Sequence, residues 1–83
     1  MEIPILTPFQ LGQRLKARRK QLKVTQIEAG SKVGLLPKTI STLELTPEKC
    51  TISSLLKLLS ALDLEIIFLP KNSESEKTKN QDW

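Results

Sequence analysis

Histidine is absent from the 83 residues, which removes imidazole metal ligands and His-assisted Ser or Cys nucleophiles. Cysteine occurs once, at Cys50, so no intrachain disulfide can form and a reducing compartment is expected. That thiol lies in an expected loop with no cationic or His partner evident, and an incidental small residue is favoured over a redox switch. Aspartate is scarce too: Asp63 and Asp82 are the only two, no carboxylate pair is evident, and an enzyme is not expected. Aromatics are limited to Phe9, Phe68 and Trp83, so the core must be built from Leu and Ile. The exposed stacking rings used by many RNA-binding proteins are missing. No long apolar run exists. Ile66 to Leu69 is the longest, far short of the roughly 20 residues that cross a bilayer. Glu2 stands where a signal peptide would carry basic residues. A soluble cytoplasmic protein with no membrane partner and no cofactor is expected.

What is present is Leu, Ile and a lopsided distribution of charge. Residues 1–40 carry eight Lys/Arg against Glu2 and Glu28, a net of +6, whereas residues 41–83 carry five against seven, a net of −2; together they make the +4 of the chain. Six basic residues and no acid lie between Arg14 and Lys23. Such a run is either a solvated helix face or the electrostatic footprint of a polyanion binder.

Capping signals divide the chain. Thr7-Pro8-Phe9-Gln10 opens a first helix with a reciprocal capping pattern and Pro at the first position. Leu11, Leu15, Arg18 and Leu22 recur at helical spacing, and the helix should run to about Lys23. Thr25-Gln26-Ile27-Glu28 repeats the signal for a short second helix that Gly34 ends. Leu35-Leu36 makes a turn, and Pro37 starts a third helix, which Pro47 stops after Leu45. Thr51 caps a fourth, with Ile52, Leu55, Leu56, Leu59 and Leu62 as its expected core stripe and Leu58 and Ala61 widening the apolar face. Glu65 to Leu69 reads as a buried strand. No convincing second strand exists in the chain, so Ile66, Ile67, Phe68 and Leu69 are expected to pair with the same segment of another copy. A homodimer also answers the small core of so short a chain. Residues 1–70 form the domain. Residues 71–83, polar and charge-balanced until Trp83, form a disordered tail.

Two short helices around a Gly-containing turn, Thr25 to Glu44, match the helix-turn-helix pattern, in which the second helix enters the major groove and its N-terminal residues meet base edges. On the wheel of the third helix, Leu36, Ile40 and Leu43 share one side and should face the core. Lys38, Ser41, Thr42 and Leu45 lie opposite, with Thr39 on the flank. Lys38 can donate to guanine O6 and N7, and the hydroxyls of Ser41 and Thr42 can donate or accept. Arg14, Arg18 and Lys20 on the first helix are the residues expected to reach phosphates, with the other cations solvated.

These residues resemble a known family. Thr7 to Leu69 is similar to the Cro-type phage-repressor (XRE) helix-turn-helix domain, and within it to the HipB-like antitoxins. The likeness rests on Arg19, Thr25-Gln26-x-Glu28, Val33-Gly34, Thr39-Ile40-Ser41 and Glu44. Pro47, Thr51-Ile52, the strand-like Ile66 to Leu69 and a polar tail closing on Trp extend it. The resemblance implies an all-α fold of four or five helices with a C-terminal strand paired across the homodimer. It also implies Gln26 on a DNA phosphate, Lys38 and Thr42 on bases with Pro37 and Ser41 as weaker readers, and Arg19 paired with Glu44 as a structural brace. The function implied is repression of the protein's own operon at a palindromic operator and neutralisation of a HipA-like kinase toxin in a type II toxin–antitoxin system. A stand-alone repressor without a toxin, or a protein-interaction adaptor, stays open as an alternative. Trp83 is either a docking residue for the toxin or an incidental terminus.

The sequence departs from the pattern at Ala29-Gly30, where a larger apolar residue followed by Ala is usual and Gly should weaken the second helix. It departs again at Leu36, where a capping Ser or Thr is usual, and at Pro37 in place of a polar reader. Leu36 and Pro37 either touch thymine methyls or, in the case of Leu36, pack inward; packing is expected for Leu36.

Overall fold

A computed structural model describes residues 3–71. The tail from residue 72 onward, and with it the expectation for Trp83, lies outside the described residues. Four α-helices follow in order: α1 (Pro8–Gln21), α2 (Gln26–Ser31), α3 (Pro37–Leu45) and α4 (Ile52–Ala61), with a single 3-10 turn at Pro47–Lys49 between the last two.

The capping chemistry sets these boundaries. Thr7 accepts from the Gln10 amide while the Gln10 side chain accepts from the Thr7 amide, and Thr25 and Glu28 repeat the exchange. Each box satisfies donors that a helix N-terminus otherwise leaves bare. Thr51 caps α4 by accepting from the Ser54 amide. At the C-termini, Lys23 and Asp63 take φ of +60° and Gly34 takes +74°. These left-handed residues turn the chain out of α1, α4 and the α2 segment; only Gly, which has no Cβ, does so without strain.

Leu15, Ala29, Ile40, Leu43, Leu58, Leu59 and Leu62 form the buried core, one or more from every helix, with Leu11, Val24, Leu35, Leu55 and Leu64 packed around it. On α4 the expected stripe holds at Leu55, Leu59 and Leu62 but not at its other two positions. Leu58 is buried, whereas Ile52 and Leu56 are 69% and 50% exposed. The helix is apolar on more than one side, and the single chain covers only the side that meets α1 to α3.

Two glycines allow backbones to touch. A Cβ on Gly12 would lie 2.3 Å from the Glu44 carbonyl oxygen, so α1 and α3 approach at that point as only Gly permits. A Cβ on Gly30 would lie 2.2 Å from the Leu35 carbonyl oxygen. Gly30 is thus a requirement of the α2–α3 turn, as well as a local weakness in α2. The Leu35 amide closes the arrangement by donating to the Gly30 carbonyl at 2.9 Å.

The segment from Glu65 to Leu69 is not a strand, and no strand occurs among the described residues. A strand exists through ladder hydrogen bonds to a neighbour, and this chain offers none within itself. Ile66, Ile67, Phe68 and Leu69 are all exposed, Phe68 at 91%.

Candidate nucleic-acid interface

The helix-turn-helix pair α2–α3 is braced from behind by α1. Arg19 on α1 is buried, and its Nε and Nη2 donate to Glu44 Oε2 and Oε1 on α3 at 2.6 and 3.2 Å. Its Nη1 donates to the Val24 carbonyl at 3.0 Å, just ahead of α2. One guanidinium therefore ties three elements together. The Glu44 hydrogen bond raises the Arg19 pKa further above its ordinary range, against the opposing pull of burial. A forked, charge-assisted pair of this kind fixes orientation as well as distance.

Gln26, the first residue of α2, belongs to the same network: its Nε2 donates to Glu44 Oε1 at 3.2 Å. Only part of its amide is engaged, so the carbonyl oxygen and the second N–H remain in a set direction. The family resemblance implies Gln26 at a phosphate; the bond that orients it from α3 was not legible in the sequence.

On α3 the outward face holds Pro37 and Lys38, both exposed, with Thr39, Ser41 and Thr42 along it, all three half-buried. The Thr42 hydroxyl donates to the Lys38 carbonyl at 3.0 Å, which leaves its lone pair and methyl to face a ligand. Ile40 and Leu43 are buried as expected, but Leu36 is not. It is 69% exposed, and Leu35 takes the inward place. The helical register does not extend to Leu36. As the residue ahead of α3 it has extended φ and ψ of −77° and 153°, so its side chain leaves the helical register.

The basic residues of α1 divide. Arg14 and Lys20 are exposed. Arg18 instead donates from Nε to the Leu62 carbonyl at 2.9 Å and from Nη1 to Gln21. It holds the C-terminus of α4, where a cation complements the bare carbonyls. Among the described residues no group of His, Cys, Asp or Glu could hold a metal ion, and no helix is long and apolar enough to cross a membrane.

Antitoxin HipB of Escherichia coli (strain K12) is 35% identical over 78 residues, a match that spans 93% of this chain and 89% of that protein. The chain belongs to the HipB antitoxin family. Antitoxin HipB of Escherichia coli O6:H1 is 33% identical over 79 residues, 94% of this chain and 84% of that protein. No protein-family model matches the chain. Among solved structures, a HipB variant in complex with an O2 20mer superposes with a TM-score of 0.82 at 30% identity, over 87% of this chain and 100% of that one. HipB in a HipA–HipB–O2–O3 complex gives 0.82 at 31% identity, over 86% and 100%. As a HipB-family member the chain is a regulator and not an enzyme. Its all-helical helix-turn-helix fold is the family's.

Proposed function

We propose that this chain is the DNA-binding antitoxin of a type II toxin–antitoxin pair. As a homodimer it binds a palindromic operator of its own operon and neutralises a HipA-like kinase toxin in the cytoplasm. The observation that carries the reading is the match, over nearly the whole chain, to HipB structures that include operator complexes and a complex with HipA and operator DNA.

In this reading the N-terminal half of α3 enters the major groove. Lys38 reads guanine, and Ser41, Thr42, Thr39 and Pro37 line the rest of the contact. Gln26 holds a phosphate from the N-terminus of α2, and Arg14 and Lys20 add salt-sensitive backbone contacts. Arg18 is reassigned from phosphate contact to the brace between α1 and α4. Arg19 and Glu44 act as a structural pair that sets the two DNA-facing helices. Ile66 to Leu69 pair with the same residues of a second copy and, with the uncovered side of α4, form the dimer interface. A two-fold dimer of this kind meets half-sites about one helical turn, ~34 Å, apart. The polar tail ending in Trp83 docks in the toxin, since Trp is among the residues most enriched at binding hot spots.

The test compares the full chain with a version ending at Pro70, each recovered from the source cells with whatever protein and DNA accompany it. One kinase-sized partner together with the gene's own upstream DNA supports the antitoxin reading. Loss of that partner on truncation, with the DNA retained, assigns toxin capture to the tail. DNA without a protein partner leaves a stand-alone repressor, and the antitoxin role falls.

A further inference from the structure

Three of the four α-helices begin with a threonine whose side chain accepts a backbone N–H: Thr7, Thr25 and Thr51. α3 begins with Leu36, which forms no side-chain cap. The position is one where Ser, Thr, Asn or Asp is strongly preferred and Leu is among the poorest choices. Packing does not account for the leucine, because it is 69% exposed. The Gly30 notch admits the Leu35 carbonyl, Leu35 packs against the core, and Leu36 is left outside. The fold therefore uses Leu36 neither as a cap nor as core. Pro37 beside it is also exposed, and its ring has no donor to offer. An apolar surface two residues long thus stands at the head of the DNA-reading helix, directly before Lys38.

We infer that Leu36, seconded by Pro37, is a specificity residue of the operator interface that recognises the C5-methyl group of a thymine. The inference deepens the DNA-binding reading above and rests on it. In the major groove the thymine methyl is the one apolar group among base edges that are otherwise hydrogen-bond donors and acceptors. An aliphatic side chain gains by covering that methyl, whereas it leaves the amino group of cytosine or adenine without a partner. Leu36 thereby supplies selection by shape and desolvation next to selection by hydrogen bonding at Lys38. Leu45, also exposed on α3, lies at the opposite end of the helix, away from the N-terminal residues that meet bases.

The experiment starts from a random-duplex selection with the full-length protein, which yields its preferred duplex. Each thymine of that duplex is then replaced by deoxyuridine, singly and as the symmetric pair, and binding is titrated by fluorescence anisotropy at fixed salt. For the wild-type chain, one thymine position should weaken binding roughly fourfold per half-site when its methyl is removed, and roughly fifteenfold for the symmetric pair, as loss of one buried methyl dictates. Leu36→Ala should bind the thymine and uracil duplexes within about twofold of each other. Leu36→Ser adds the missing cap, so it should melt at or above the wild-type temperature while also losing the methyl discrimination. That separates base reading from folding. If Leu36→Ala and the wild type respond equally to every thymine-to-uracil change, the inference is overturned while the DNA reading stands. It is overturned equally if the Leu36 variants keep methyl discrimination and lose only capture of a protein partner. If the wild type enriches no duplex at all, the DNA reading falls and the inference with it.

Discussion

Replacing Glu44 by alanine strips the Arg19 guanidinium of two of its three hydrogen bonds and leaves it only the Val24 carbonyl. The side chains of the pair are 11% and 2% exposed, so water cannot restore what is removed. Breaking a buried pair from one side costs about 3–5 kcal/mol, because the remaining charge stays buried without compensation. A chain of 83 residues has a total stability of about 4–12 kcal/mol at 0.05–0.15 kcal/mol per residue. Glu44→Ala is therefore expected to consume a large share of the folding free energy. Urea denaturation followed by far-UV circular dichroism, at one fixed protein concentration, reads the loss directly. A change below about 1 kcal/mol would refute the claim that the pair braces the fold, since exposed ion pairs contribute about that much. The double variant Arg19→Met/Glu44→Leu sharpens the test. Apolar replacement of both partners is often neutral or stabilising, so the fold should survive. Gln26 loses its α3 partner in the same variant, so DNA binding should weaken even though the protein is folded. The wild-type contribution is not a neutral-pH switch. With the Arg19 pKa raised, that stabilisation is fully present below the unfolded-state pKa and is lost only as pH rises through the folded one, in the strongly alkaline range.

Gly30→Ala should destabilise by more than the ordinary helix gain of about 1 kcal/mol can offset, because the new Cβ meets the Leu35 carbonyl oxygen at 2.2 Å; a thermal melt at or above wild type would contradict the close approach. Lys23→Gly should stabilise by about 1 kcal/mol, since a non-glycine residue at φ of +60° carries a Cβ penalty, and denaturant midpoints with unchanged slopes would show it. Arg14→Ala and Lys20→Ala should each lower the slope of log binding constant against log salt by about 1 for the phosphate that the missing cation no longer neutralises. Arg18→Ala should leave that slope alone and lower stability instead, because its Nε is committed to the Leu62 carbonyl at 2.9 Å. An Arg18→Ala variant with a reduced slope and wild-type stability would return that residue to the DNA-facing set.

The helix boundaries were legible because they depend on chemistry between residues three or four apart. Each Thr-led start from Thr7, Thr25 and Thr51 appears as a formed cap, and Pro37 and Leu45 bound α3 as expected. The Arg19–Glu44 brace followed from the family resemblance, and the structure forms it. Less legible was which apolar residues lie inside. Leu36 and Leu35 are adjacent leucines in a turn, and periodicity has no force outside a helix. On α4, apolar residues surround much of the helix, so the pattern drew Ile52 and Leu56 into the core stripe with Leu55, Leu59 and Leu62, whereas in the single chain these two are exposed.

Local hydrogen-bond chemistry and charge are properties of short stretches of chain, and they alone determined the four helices, the helix-turn-helix and the basic first half. Contacts between elements that are distant in sequence decided the rest. The backbone approach at Gly12 to Glu44 sets how α1 crosses α3. The approach at Gly30 to Leu35 turns Leu36 outward. The Leu62 carbonyl draws Arg18 away from α1's exposed cations. Each depends on where two backbones meet in space, and a pattern read along one element carries no information about the element that will meet it.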